Sequence, residues 1–200
     1  MHLQVWFEFA STYSYPAIMR VEEVAKQGGV EVSWHPFLLG PIFRSQGWDD
    51  SPFNVYPIKG RYMWRDLERV CAGSGLPFRR PSVFPRNGLL AARICAVSTG
   101  EAWLAAFIKA VYRSNFERDQ DIADPEVVAH CLEQTGQVPE PLLALAAEAR
   151  AKDALRRLTD EAISRGIFGA PTFVAGAELF WGNDRLEAAV DWCKRGEAAA

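Results

Sequence analysis

The segment from Val5 to Tyr15 constrains the fold more than any other part of this sequence. It begins with a short run of large and β-branched side chains that only Glu8 interrupts, a pattern typical of a buried central strand. Residues 10–14 are rich in hydroxyl groups, and from Tyr15 onward apolar residues recur at helical spacing. The segment therefore predicts a strand, a tight turn and a helix, with Ser11 close to the first unpaired amides of that helix.

Two interpretations of this turn are open at this point. An anion placed beside Ser11 would be stabilised by the helix amides before any side chain contributes. Alternatively, Ser11 and Ser14 serve only as caps of the helix. The rest of the chain has to decide between a binding site and a structural cap.

Composition limits the class of protein and its partners. A chain of 200 residues with 49% hydrophobic residues and seven Trp can form one well-packed domain, or a small fold carrying an insertion. A net charge of −3 gives no electrostatic reason to expect nucleic acid or an anionic membrane. No apolar run is long enough to span a bilayer. We expect neither nucleic acid nor a membrane as a partner.

The cysteines favour a structural interpretation. Cys71, Cys95, Cys131 and Cys193 are widely separated, form no Cys-x-x-Cys and, with the three His, give no zinc-ligand spacing. The N-terminus runs into the first strand without a signal-peptide core. We therefore expect buried thiols in the reducing cytoplasm and no metal site.

The first half of the chain predicts a strand–helix–strand unit. Gly28 and Gly29 end the first helix, and the alternating residues Val30–Trp34 predict a second strand, parallel to the first with a right-handed crossover. A long helical region follows. Its predicted helices are Tyr62–Ala72, Leu89–Val97, Glu101–Asn115, Asp124–Thr135, Pro139–Ala149 and Lys152–Arg165.

The last part of the chain returns to strands. Gly169–Ala175 has strand character, and Glu178–Trp181 predicts its hairpin partner. A final helix is predicted over Arg185–Lys194. With the middle removed, the order β-α-β … α-β-β-α is that of thioredoxin.

We therefore predict an α/β protein with a thioredoxin-like fold. Residues 1–38 and 166–200 would form a discontinuous thioredoxin-like domain. Residues 39–165 would form an all-helical insertion between its halves.

The predicted turn contains no cysteine and therefore no thiol of its own. In a thioredoxin-like fold this turn carries the redox cysteines, but here its ends are Ser11 and Ser14. Serine is a weak nucleophile without an adjacent base. We therefore hypothesise that a bound cofactor brings the thiol and that Ser11 donates a hydrogen bond to its thiolate.

The energy required for this role is modest. Lowering a thiol pKa by about two units takes about 2.7 kcal/mol. A hydroxyl donor to an anion contributes about 1.5–3 kcal/mol, and a helix N-terminus about 0.3–1 kcal/mol. Together these contributions are sufficient without a second catalytic residue.

Pro171 is the second candidate feature. A Gly-Ala-Pro-Thr sequence entering a strand opposite the active-site turn is where this fold keeps a cis proline, although the general frequency of cis X-Pro bonds is only about 5–6%. The backbone groups of Ala170 would then be free to pair with an extended peptide, such as the cysteinyl unit of glutathione. The alternative is an ordinary turn proline.

The third candidate feature is Trp181-Gly182-Asn183-Asp184 at the start of the last helix. Amides there can hold the carboxylate of an amino-acid group, and Asp184 can hold its ammonium, as the γ-glutamyl end of glutathione requires. Asp184 and Glu187 also have the spacing of a capping box, and such a cap is compatible with binding.

These segments together carry a family resemblance. The matching residues are Phe7–Ser11, Ser14, Tyr15, Asn54, Lys59, Tyr62, Asp66, Arg69, Phe168–Phe173 and Trp181–Leu186. With these residues, nearly the whole chain resembles the 2-hydroxychromene-2-carboxylate isomerases, relatives of the kappa-class glutathione transferases and of DsbA-type proteins. Thr12 stands where many relatives have proline. Without the fixed φ of proline, the turn would be less rigid, although the Ser11 hydroxyl is retained.

The resemblance implies a site and a reaction. Ser11 would be the thiolate partner, and Asn54 and Lys59 would line the substrate side. The residues implied to hold glutathione are Ala170, Pro171, Trp181, Gly182, Asn183 and Asp184. The protein would be a cytoplasmic homodimer acting on a small aromatic carboxylate.

The implied reaction interconverts 2-hydroxychromene-2-carboxylate and trans-o-hydroxybenzylidenepyruvate through reversible thiolate addition, in naphthalene-type degradation. Two alternatives stay open: a glutathione transferase that releases the adduct, and a non-enzymatic module that binds thiols or peptides. Lys59 and a closed apolar pocket over the sulfur would favour an enzyme, whereas an open groove would favour the binding module.

Overall fold

A four-stranded sheet lies at the centre of the computed structural model, which describes the backbone of residues 1–198 and the side chains of residues 1–195. The strands are β1 (His2–Phe7), β2 (Glu31–Pro36), β3 (Thr172–Ala175) and β4 (Glu178–Trp181). Their order in the sheet is β2-β1-β3-β4. β1 and β2 are parallel, whereas β3 is antiparallel to both β1 and β4. This topology confirms the predicted thioredoxin-like arrangement.

Helices surround the sheet and form most of the chain between β2 and β3. The first five are α1 (Ser14–Gly28), α2 (Leu39–Ser45), α3 (Pro52–Val55), α4 (Pro57–Gly73) and α5 (Leu89–Val97). The next five are α6 (Leu104–Phe116), α7 (Pro125–Glu133), α8 (Pro139–Ala147), α9 (Ala149–Ser164) and α10 (Leu186–Ala198). A 3-10 turn, Asn183–Arg185, precedes α10. No helix in residues 1–198 combines the length and apolar character needed to cross a membrane.

The two faces of the sheet bury different sets of side chains, because successive residues of a strand point to opposite faces. Leu3, Val5 and Phe7 of β1 belong to the larger core cluster, together with residues of α1, α6 and α10. Trp6 points to the other face and packs in a smaller cluster with Phe37. β1 is thus buried on both faces, as its sequence predicts.

Helices of the predicted insertion share the core of the sheet. Met63 of α4 and Phe107 of α6 are fully buried in the same cluster as Leu3 of β1. α9 also contacts β2 directly. The division into residues 1–38 with 166–200 and residues 39–165 stays a prediction.

β1 lies closer to the N-terminus than the sequence pattern predicts. The strand starts at His2 because Leu3 pairs with Val32 of β2 and with Ala175 of β3. It ends at Phe7 because the chain turns there, and the amide of Ser11 donates to the carbonyl of Glu8 at 2.9 Å. The predicted strand residues Glu8 and Phe9 therefore belong to the turn.

Candidate active site

A cavity of about 1270 Å³ lies where the end of β1, the loop before β3, the turn after β4 and the α2–α4 region meet. It brings together most of the predicted site residues, although they are far apart in sequence. Those that line it are Ser11, Lys59, Ala170, Trp181, Gly182, Asn183 and Asp184. Asn54 and Pro171 are not among the lining residues.

The Ser11 hydroxyl lies at the start of α1 and donates a hydrogen bond to the carbonyl of Ala170 at 2.8 Å. The N-cap position of α1 is Tyr13, which makes no side-chain cap. Within the described residues, no helix amide donates to the hydroxyl of Ser11 or Ser14. The alternative that both serines are only caps is therefore wrong, and Ser11 instead connects the turn to the loop before β3.

Thr12 anchors the same turn from its other side. Its side chain is buried, and its hydroxyl contacts the sulfur of Met63 at 3.1 Å. The turn is therefore tied to α4 at Thr12.

The peptide bond between Ala170 and Pro171 is cis, as the sequence predicts. The Pro171 carbonyl accepts a hydrogen bond from the amide of Gly182 at 2.9 Å. Among residues 1–198, the amide of Ala170 takes part in no backbone hydrogen bond of a turn or loop. The Ala170 carbonyl uses one of its two acceptor positions for Ser11. Ala170 thus keeps a donor and an acceptor for a ligand.

The capping box predicted for Asp184 and Glu187 does not form. The chain makes a 3-10 turn before α10, and no side chain caps this turn. The Asp184 carboxylate pairs with the neighbouring Arg185 at 3.1 Å and stays exposed. Gly182 has a φ of 108°, which glycine adopts without strain. A side chain at Gly182 would also collide with Asp184, because a Cβ there would lie 2.6 Å from its carboxylate oxygen.

Arg20 of α1 holds this turn in place, although the sequence analysis did not single it out. Its guanidinium donates to the Asn183 side-chain oxygen at 3.0 Å and to the Asn183 carbonyl at 2.6 Å. It also forms a salt bridge with Glu187. The hydrogen bond that Arg20 donates in this pair lowers the pKa of the Glu187 carboxyl. Arg20 and Asn183 are 163 positions apart, so no local sequence pattern indicates that they pair.

The α2–α4 side of the cavity is aromatic and cationic. The Lys59 ammonium is exposed and lies 4.7 Å from the centre of the Tyr56 ring. Aromatic residues on this side are Phe43, Trp48, Phe53 and Tyr62. The Asn54 amide donates to Asp50 at 3.0 Å, so Asn54 braces its own loop beside the cavity.

A hydrogen-bonded pair connects the Ser11 turn to α4. The Tyr13 hydroxyl donates to one Asp66 oxygen at 3.0 Å, and Arg69 donates to the other at 3.1 Å. Burial and the Asp66 carboxylate both raise the pKa of the Tyr13 hydroxyl. Tyr13 therefore stays protonated and structurally engaged at neutral pH.

Glu8 is a lining residue that sequence analysis did not assign to the site. One of its carboxylate oxygens accepts a hydrogen bond from the amide of Ala10 at 3.1 Å. Burial raises the pKa of the Glu8 carboxyl to about 7, although the Ala10 hydrogen bond opposes part of this shift. The available sequence signal was that Glu8 alone interrupts the apolar run of the first strand.

Residues 2–192 match the DsbA-like thioredoxin domain family. The chain belongs to this family. Among its relatives, a 2-hydroxychromene-2-carboxylate isomerase from Sphingobium xenophagum is 28% identical over 187 residues, covering 92% of this chain and 94% of the relative. Glutathione S-transferase kappa 1 from Homo sapiens is 25% identical over 199 residues, covering 92% and 87%.

A solved 2-hydroxychromene-2-carboxylate isomerase has the same fold, with a TM-score of 0.85, 24% identity and full coverage of both chains. These similarities confirm the resemblance that the sequence motifs predict.

In this DsbA-like thioredoxin domain, none of the four cysteines lines the cavity. Cys71, Cys95 and Cys131 are buried, and burial raises the pKa of all three thiols. Cys193 is only partly buried. A thiol that reacts in the cavity therefore has to come from a ligand.

Proposed function

We propose that this protein is a glutathione-dependent isomerase that interconverts 2-hydroxychromene-2-carboxylate and trans-o-hydroxybenzylidenepyruvate. The observation that carries the proposal is the contact between the Ser11 hydroxyl and the Ala170 carbonyl, in a cavity that Lys59 also lines. This contact supports the proposal because a cysteinyl peptide paired with Ala170 would lie next to the Ser11 turn. The names of the isomerase relatives supply the reaction class.

The residues present fit glutathione. The free donor and acceptor of Ala170 suit strand-like pairing with the cysteinyl unit. The uncapped turn at Asn183 offers amides for a carboxylate, and the exposed Asp184 carboxylate offers a partner for an ammonium. When bound, glutathione would supply a thiol that ionises and adds reversibly to an activated double bond.

The chain's own residues would bind and orient the reacting groups. The Ser11 hydroxyl has one proton, so it must turn away from the Ala170 carbonyl to donate to a sulfur. Its net contribution is therefore smaller than that of a free hydroxyl. Lys59 would attract the substrate carboxylate, and aromatic neighbours such as Tyr62 and Phe53 would pack against the ring.

The test is turnover of 2-hydroxychromene-2-carboxylate by the purified protein with and without reduced glutathione. We expect turnover only with glutathione, and a higher melting temperature in its presence. Free cysteine and dithiothreitol are the controls, because neither is long enough to bridge Ala170 and Asp184. Equal stabilisation by these thiols, or full turnover without glutathione, would overturn the proposal.

A kappa-type glutathione transferase is the second candidate, because kappa-class enzymes are also among the relatives. It differs in releasing the glutathione adduct as product. Mass spectrometry of the products separates the two, since the isomerase returns glutathione unchanged. The cytoplasmic location and the homodimer stay predictions of the resemblance.

A further inference from the structure

The backbone of the Ser11 turn, residues 8–11, is held by two side chains of α6. The Tyr112 hydroxyl donates a hydrogen bond to the Glu8 carbonyl at 2.7 Å. The Asn115 side-chain amide donates to the Phe9 carbonyl at 3.2 Å. Residues three positions apart on a helix lie on one face, so both side chains approach the turn from the same side. α6 therefore fixes two successive carbonyls of the turn.

Arg86 determines the orientation of the Asn115 amide. One terminal nitrogen of its guanidinium donates to the Asn115 side-chain oxygen at 3.2 Å and to the Asn115 carbonyl at 3.3 Å. A guanidinium only donates hydrogen bonds, so the side-chain oxygen of Asn115 has to face Arg86. The NH2 group of Asn115 then has to face the Phe9 carbonyl. A flipped amide would oppose two donors at Arg86 and two acceptors at Phe9.

Arg86 is itself held in place, and the contacts are buried. Asn115 is 2% exposed and Arg86 is 6% exposed. The other terminal nitrogen of Arg86 donates to the Ser82 hydroxyl at 3.1 Å and to the Asp119 carbonyl at 3.1 Å. Arg86 also forms a salt bridge with the Asp119 carboxylate. Because a buried polar group that loses its partner is costly, these contacts restrain the Asn115 amide.

This restraint bears on the position of the Ser11 hydroxyl. The Phe9 carbonyl belongs to the rigid peptide plane between Phe9 and Ala10, two positions before Ser11. A rotation of that plane would displace Ser11, and small displacements at a reacting centre reduce rates strongly. Asn115 is not among the residues that line the cavity, so it can act on the cavity only through the turn.

Resting on the function proposed above, we propose that Asn115 is a positioning residue of the thiol site. Its amide, oriented by Arg86, holds the Phe9 carbonyl so that the Ser11 hydroxyl reaches the sulfur of bound glutathione. Asn115 contacts neither the thiol nor the substrate.

The test measures the pKa of the thiol of bound glutathione from its ultraviolet thiolate absorbance, in the wild type and in Asn115→Leu. Leucine is similar in size to asparagine but has no amide. We expect the pKa of the bound thiol to rise by up to about one unit, as loss of the Ser11 hydrogen bond would.

The kinetic constants give a second readout. The kcat for the chromene carboxylate at pH 7 should fall up to about tenfold in Asn115→Leu and recover partly as pH rises. The KM and the affinity for glutathione should change less than about twofold, because the groups that bind both molecules are intact.

Ser114→Ala is the matched control. Ser114 precedes Asn115 on α6 and is also buried, but its hydroxyl contacts the Cys131 sulfur at 3.4 Å and not the turn. Both variants should lower the melting temperature, whereas only Asn115→Leu should raise the pKa of the bound thiol. Asn115→Ser, which is smaller and also has no amide, repeats the test where Asn115→Leu does not fold.

A wild-type thiol pKa in Asn115→Leu, or in Asn115→Ser, would overturn the role of Asn115 while leaving the proposed function intact. An equal rise in Ser114→Ala would do the same, because the pKa would then follow general destabilisation. Failure of the wild type to bind glutathione would overturn the proposed function and, with it, the role of Asn115.

Discussion

The two sides of the cavity are built differently. One side, here called the cross-linked wall, consists of Ser11, Ala170 and Trp181–Asp184. The other, the aromatic wall, consists of Phe43, Trp48, Phe53, Lys59 and Tyr62 on and between α2 and α4.

Hydrogen bonds join the separate segments of the cross-linked wall. Ser11 bonds to Ala170, the Gly182 amide bonds to the Pro171 carbonyl, and Arg20 bonds to Asn183. Each of these contacts fixes a backbone or side-chain group that would meet the ligand. Such preorganisation is what a reacting centre requires, because small displacements there reduce rates strongly.

Exposure does not separate the two walls, because Tyr62 of the aromatic wall is 62% exposed and Trp181 of the cross-linked wall is 54% exposed. Lys59 rests on the Tyr56 ring, and no salt bridge of the described side chains includes it. The walls thus differ in the hydrogen bonds that join distant segments, and we expect substitutions in the cross-linked wall to have the larger effects.

The largest expected effect concerns Glu8, a buried titratable residue that lines the cavity three positions before Ser11 of the cross-linked wall. The pKa of Glu8 is about 7 in the folded protein and 4.5 when unperturbed. The folded state therefore binds this proton more tightly, and the contribution to stability is present below about pH 4.5 and lost as pH rises to about 7. Glu8→Gln removes this loss, which is on the order of 3 kcal/mol.

The measurement is the free energy of unfolding of the wild type and Glu8→Gln at several pH values across this window. The difference between them should shift in favour of Glu8→Gln as pH rises. The same difference for Glu23→Gln, on the exposed face of α1, should stay flat. A flat difference for Glu8→Gln would contradict the raised pKa.

Ser11→Ala should have the next largest effect. Loss of the hydroxyl should raise the pKa of the bound thiol by about one unit at most, because Ser11 gives up its hydrogen bond to Ala170 to reach the sulfur. Turnover at pH 7 should fall up to about tenfold and recover partly as pH rises. Ser14→Ala, outside the cavity, should change turnover little. Unchanged turnover in Ser11→Ala would exclude Ser11 from the mechanism.

Arg20→Ala tests the cross-linking itself. The variant loses the hydrogen bonds to Asn183 and the salt bridge to Glu187. We expect the free energy of unfolding to fall by about 1–2 kcal/mol and the affinity for glutathione to fall roughly tenfold. Arg65→Ala, which breaks only an exposed pair with Glu68, should alter neither by much. If calorimetry finds that Arg20→Ala binds glutathione as tightly as the wild type, the turn at Asn183 does not need Arg20 to bind glutathione.

Lys59→Met should have the smallest effect. An exposed charge contributes about 0.5–1 kcal/mol to binding, so the KM for the chromene carboxylate should rise roughly twofold to fivefold. The affinity for glutathione should not change, because Lys59 belongs to the aromatic wall. Lys152→Met on α9, outside the cavity, is the control. A loss of glutathione affinity in Lys59→Met would remove the functional distinction between the walls.

Local sequence patterns predicted the architecture and much of the site. The apolar run of β1, the hydroxyl-rich turn at Ser11 and the Gly-Ala-Pro-Thr before β3 each specify a local conformation through side-chain size, spacing or proline chemistry. The family resemblance, rather than a local pattern, identified Lys59, which lines the cavity, and Asn54, which is not among the lining residues.

By itself, the sequence determined the order of the strands and of most helices, because periodicity and turn residues act over a few positions of the chain. It predicted no helix at α2 or α3. Only the tertiary structure decided which groups meet. Ser11 and Ala170 are 159 positions apart. The spacing of Asp184 and Glu187 indicates a capping box, whereas in the structure Glu187 pairs with Arg20. The pKa of Glu8 likewise depends on burial by neighbours that packing supplies. Hydrogen bonds between distant segments and the loss of solvent around a charge arise only after the chain has folded.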